Sequence, residues 1–157
     1  PSTDGETWGQ SWQKLPVAPG SEPAPSPDPA RVRALKRRSD RLHGVWEADL
    51  FHLFAVGGPP GERPYNPKMW LCVECHQQIV MGMQALEPWR SPQELQQAFL
   101  TLLEEATSLP QEIRVAKSEV KKLVAPVGQA LGVRVVERRR LKAIEAMRNS
   151  LESFMNR

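Results

Sequence analysis

Apolar positions in the second half of the chain change period several times. Leu95, Ala98, Phe99, Leu102, Leu103 and Ala106 recur at helical spacing. Ser91-Pro92-Gln93-Glu94 opens that helix, with Ser at the N-cap, Pro at the first position and Glu placed to reach back to the cap. Val120, Leu123, Val124, Val127 and Leu131 mark a second helix, capped by Ser118 and ended by Gly132. Pro126 lies inside it and predicts a kink, because it removes one helical hydrogen bond. Leu141, Ile144, Met147, Leu151 and Phe154 define a final amphipathic helix. Between these helices stand two short strands, Glu112 to Ala116 and Val133 to Glu137. Met69 to Leu86 is a hairpin, MWLCVEC and IVMGMQAL, turning near His76-Gln77-Gln78. Its nearly continuous apolar character predicts strands covered on both faces. Val45 to Val56 suits a first strand, and Gly57 to Pro67 is a loop dense in turn residues. Residues 30–43 predict a basic helix with Val32, Leu35 and Leu42 on one face and Gly44 as its stop.

From residue 45 the order is therefore β-β-β-α-β-α-β-α. Strands separated by single helices pair in parallel through right-handed crossovers. The first three strands form an antiparallel meander. An α/β fold with such a mixed sheet has ribonuclease H-like topology, a statement about architecture and not about activity.

The first 29 residues differ in kind. From Pro16 to Pro29, six of fourteen residues are proline, which makes an extended spacer rather than a core. Ahead of it, Trp8 and Trp12 share one side of any helical turn, with Leu15 following. The expected organisation is a Trp-bearing peptide and linker over 1–29, a basic helix over 30–43, and one α/β domain over 44–157. Tryptophans on a spacer suit a tethered docking peptide for a protein partner, although they could instead fold back on the domain.

The net charge is only +3, but it is clustered. Arg31, Arg33, Lys36, Arg37, Arg38 and Arg41 form one group, and Arg134, Arg138, Arg139, Arg140 and Lys142 a second. Such groups steer acidic partners or contact phosphates, so nucleic-acid binding is the alternative function. No apolar run has the length needed to span a bilayer, and no signal peptide is visible, so the expectation is a cytoplasmic protein without membrane insertion.

A ribonuclease H-type site needs three or four carboxylates converging on divalent metal. The first strand offers Glu47 and Asp49, the first helix after the hairpin Glu94 or Glu104, and the last helix Glu145 and Glu152. The strand EIRVA is followed by Lys117, a cation where an acid is needed. This argues against an enzyme. Cys72-Val73-Glu74-Cys75-His76 matches C-x-x-C-H, the pattern of c-type haem attachment. Residues three apart on a strand face opposite ways, so both thiols reach one ring only if the strand ends between them. The same residues could contribute to a zinc site or a redox dithiol, or serve as small hydrophobes. P-loop, G-x-G-x-x-G and G-x-S-x-G motifs are absent.

Leu109-Pro110-Gln111-Glu112-Ile113-Arg114-Val115, then Leu123 to Pro126, then Leu131-Gly132-Val133-Arg134-Val135-Val136, follow a hairpin and a Pro-capped helix. This pattern, over about residues 69–155, resembles a bacterial family of uncharacterised α/β domains well represented in cyanobacteria. The resemblance implies the fold and no activity. In that family an acidic residue often follows the I-x-V strand, and Lys117 stands near that place here. The reading as a whole is a non-catalytic accessory or protein–protein interaction domain. Trp8, Trp12 and Leu15 would anchor a partner, and Arg31, Arg33, Arg37, Arg38 and Arg41 would steer it.

Overall fold

The structure, a computed structural model, describes residues 23–38 and 42–157. Helix α1 (Pro29–Arg38) is followed by β1 (Val45–His52), β2 (Lys68–Glu74), β3 (Ile79–Leu86), α2 (Pro92–Glu105), β4 (Glu112–Val115), α3 (Ser118–Leu131), β5 (Arg134–Glu137) and α4 (Lys142–Met155). The strands form one sheet in the order β3-β2-β1-β4-β5. β1–β2 and β2–β3 are antiparallel; β1–β4 and β4–β5 are parallel. This is the expected mixed sheet of an RNase H-like fold. The C-terminal ends of the three parallel strands share one end of the sheet, where ligands bind in open α/β sheets.

Alternation along β1 sorts the molecule into two cores. Trp46 and Ala48 face α1, α2 and α3, packing with Trp70, Cys72, Leu35, Phe99, Leu103 and Val124. Glu47, Asp49 and Phe51 lie on the other side, where Phe51, Leu71 and Val73 pack against Leu141, Ala143 and Ile144 of α4. β2 lies between these layers, so Trp70 to Val73 are fully buried in sequence. The Trp70 indole N–H donates to the Leu95 carbonyl at 2.9 Å, tying β2 to α2.

The capping box forms as expected: Ser91 Oγ accepts from the Glu94 N–H, and the Glu94 carboxylate accepts from the Ser91 N–H. Such a cap contributes about 1 kcal/mol. Helix α3 continues through Pro126 as one element. Its cap is Lys117, not Ser118, and Lys117 makes no side-chain capping bond because an ammonium cannot accept from the first-turn N–H groups; it donates to Asp49 and the Leu50 carbonyl. Gly128 fits α3 against β5; a Cβ there would stand 2.9 Å from the Val133 carbonyl oxygen.

Several boundaries differ from the periodicity. The first strand stops at His52, short of Val56. Within the described residues α1 stops at Arg38, and Leu42 and His43 are not helical. The His43 N–H donates instead to the Leu109 carbonyl, leading the chain extended into β1. α1 itself joins the core through Val32 and Leu35. Phe154, expected on the buried stripe of α4, is 74% exposed. Phe51, next to last in β1, is the strand's contribution to that core.

Candidate functional site

The parallel strand ends bring Asp49 and Lys117 together. Asp49 is buried on the α4 side of β1 and accepts from the Leu50 N–H at 2.9 Å. Lys117, directly beyond the adjacent parallel strand β4, places its ammonium 3.1 Å from Asp49 Oδ1. The same ammonium donates to the Leu50 carbonyl at 2.9 Å. Glu47, two residues before Asp49 and equally buried, accepts from the Ile144 N–H at 2.9 Å, at the first turn of α4. One carboxylate is thus neutralised by a lysine, and the other fastens a helix start, where a negative charge is favoured.

The remaining acids do not join them. Glu94 belongs to the capping box and pairs with Arg90. Glu104 pairs with Arg31, on α2 and so across the sheet from Asp49. Glu145 pairs with Arg140. Glu152 lines a shallow apolar hollow with Phe54 and Met155. Among the described residues no group of three histidine, cysteine, aspartate or glutamate side chains could hold a metal ion. The catalytic metal that an RNase H-like architecture implies therefore does not fit: a lysine faces the carboxylate, and α4 turns Arg148 toward the site.

Lys117 also lines a cleft of about 1330 Å³. Lys68, Arg90, Lys117, Lys121, Lys122 and Arg148 line it, with Glu119 and Glu137 as its acids. Arg90 is paired with Glu87 and Glu94, Lys121 with Glu137, and Lys117 with Asp49. Among the described residues Lys68 and Lys122 make no ion pair, and Arg148 lies over the Phe51 ring, 4.3 Å from its centre. These cations come from β2, α3 and α4. They are scattered along the chain, which is why no charge cluster revealed them. The signal available was Lys117 itself, a cation after a strand that calls for an acid.

The clusters legible in the sequence serve other ends. Arg31 bonds Glu104 at 2.6 Å and the Thr101 hydroxyl at 2.9 Å. Arg38 donates to the carbonyls of Leu103, Glu104 and Ala106, satisfying the open end of α2. Both therefore fasten α1 to α2, whereas Arg33, Lys36 and Arg37 are exposed. Arg134 pairs with Glu112, and Arg140 with Glu145. Trp8, Trp12, Leu15 and Arg41 lie outside the described residues.

Cys72, Cys75 and His76 do not converge. Cys72 is buried among the α2 and α3 side chains, and its thiol is pushed up to about 12 by burial. Cys75 sits in the turn beyond β2. Partial burial, then the Glu47 charge, raises it to about 11. Thiols so shifted are protonated and unreactive at neutral pH. His76 is exposed in the turn. The two thiols are not offered to one haem ring.

A family model, that of a domain of unknown function (DUF6930), matches residues 31–152. The chain belongs to this family. No curated protein matches it. Solved structures resemble this DUF6930 domain in fold. The catalytic core domain of BIV integrase has a TM-score of 0.51 and 15% identity, over 69% of this chain and 66% of that one. The HTLV-2 integrase catalytic core domain in complex with magnesium has a TM-score of 0.52 and 12% identity, over 75% and 72%. The simian T-cell lymphotropic virus intasome in complex with PP2A regulatory subunit B56 gamma contains a chain at 0.53 and 11%, over 71% and 39%. At such identities the likeness is one of fold. Among the described residues no helix is long and apolar enough to cross a membrane.

Proposed function

We propose that this DUF6930 domain is a non-catalytic binding module whose cleft takes the phosphate backbone of a nucleic-acid strand. The observation that carries this is the Lys117–Asp49 ion pair, whose lysine lines a cleft where Lys68, Lys122 and Arg148 stand free of acids. An ammonium at a buried carboxylate supplies the positive charge that a metal would otherwise supply. It cannot activate water or a hydroxyl as metal does. A magnesium complex is known for the HTLV-2 integrase core; here the same kind of frame is filled from within. The surplus cations form an electrostatic groove. Among the described residues its lining holds no tryptophan or tyrosine, and its one phenylalanine, Phe51, is buried, so binding is to backbone and indifferent to base sequence. The docking-peptide reading rests on Trp8, Trp12 and Leu15, outside the described residues, and the cleft geometry favours nucleic acid over it.

The test is fluorescence anisotropy with a labelled single-stranded oligonucleotide across a salt series. With about three free cations engaged, log K should fall against log salt with a slope of about −2. Lys68→Glu with Lys122→Glu should weaken binding about tenfold or more at low salt. No cleavage should appear with Mg²⁺ or Mn²⁺. Metal-dependent cleavage, or affinity unmoved by both substitutions, sinks the proposal.

A further inference from the structure

The chain enters its domain by crossing the rim of this cleft. Pro23, Ala24 and Pro25 line it together with Lys68, Lys122 and Arg148. Gln93, on the first turn of α2, grips the next residue in both senses. Its Oε1 accepts from the Ser26 N–H at 3.1 Å, and its Nε2 donates to the Ser26 carbonyl at 2.9 Å. Gln96 is fully buried; its amide donates to the Leu123 carbonyl at 2.9 Å and to the Pro25 carbonyl at 3.4 Å. Two glutamines thus hold the main chain of a segment whose prolines at 23, 25, 27 and 29 keep it extended. The clamp fixes where the preceding arm joins the domain: Pro23, to which residue 22 is bonded, lines the cleft.

That arm has the opposite charge to the cleft. Residues 1–22 carry Asp4, Glu6 and Glu22 against Lys14, a net −2 in a chain whose total is +3. A short tether gives its end an effective concentration in the millimolar range, at which even weak contacts compete. We propose that the acidic arm, residues 1–22, is an intramolecular competitor for the basic cleft, held at its mouth by the Gln93–Ser26 clamp. This rests on the cleft being a polyanion site. Ligand and arm then exclude each other, so the resting domain binds less tightly than its cations allow.

Full-length variants test this by anisotropy with a labelled oligodeoxythymidine at low salt. Glu6→Gln with Glu22→Gln neutralises the arm. Glu62→Gln with Glu105→Gln makes the same charge change at exposed positions away from the cleft. Gln93→Ala releases the clamp from an exposed position and should raise the hydrogen-exchange rate of the Ser26 amide without changing that of the sheet. The arm pair and Gln93→Ala should each bind about fivefold tighter than wild type, as removal of a tethered competitor requires, and the control pair should gain clearly less. Equal gains in arm and control pairs, or no gain in Gln93→Ala, overturn the inference while leaving the cleft proposal standing. If neither wild type nor any variant binds the oligonucleotide, the cleft proposal falls and this inference with it.

Discussion

At the scale of single residues, Lys117 decides the character of the site. Its ammonium answers a carboxylate that is only 7% exposed, while its own stem reaches solvent. Removing one partner of a buried pair costs far more than the pair contributes, because the other charge stays behind. Lys117→Met should therefore destabilise the domain by about 1–3 kcal/mol, the penalty for an unsatisfied buried acceptor. Asp49→Asn added to it should recover much of that loss, since the amide carries no charge. Urea unfolding of both single variants and the double checks this. Strict additivity would mean the contact is not an interaction. Lys117 is legible in the sequence as a cation where an acid is called for. Its contact with Asp49 is not, because it depends on β1 and β4 being neighbours and the two residues are 68 apart in sequence.

Among elements, the join between β4 and β5 is electrostatic as well as apolar. Glu112 lies opposite Arg134 across the parallel pair and receives Arg114 Nε at 2.9 Å from its own strand. Hydrogen bonding by Arg114, then by Arg134, holds its carboxyl below the usual carboxylate range. A depressed native pKa contributes stability that is complete above the unfolded value, near 4.5, and is lost as pH falls through the lower native one. Glu112→Gln should thus lower the melting temperature at pH 7, and the gap from wild type should narrow as pH falls below the unfolded value of 4.5. A gap that stays constant from pH 7 to pH 3 would show that Glu112 acts by packing alone. Arg134 illustrates why charge runs mislead: its neighbours in sequence suggest a binding cluster, yet its partner comes from the adjacent strand. Arg31 and Arg38 repeat the pattern, since the carbonyls and the glutamate they meet belong to α2.

Across the whole molecule, the fold was legible because each element announces its own period and caps, and the handedness of crossovers leaves few ways to assemble them. The cleft was not, because its unpaired cations, Lys68, Lys122 and Arg148, belong to three elements and converge only when the parallel strand ends align. That convergence also states what the frame retains. Asp49, in β1, and residue 117, just past the adjacent parallel strand β4, already approach within contact distance. Mg²⁺ needs only one or two protein carboxylates and keeps its waters. Lys117→Asp should consequently be less stable than wild type in metal-free buffer, with two acids forced together. Millimolar Mg²⁺ or Mn²⁺ should then raise its melting temperature, by an amount corresponding to about 1.4 kcal/mol at ten times the dissociation constant. Wild type, whose lysine already supplies the charge, should not respond. If the aspartate variant is equally indifferent to both ions, Arg148 and its basic neighbours repel any metal. The cleft would then have lost the capacity for a cation along with the need for one.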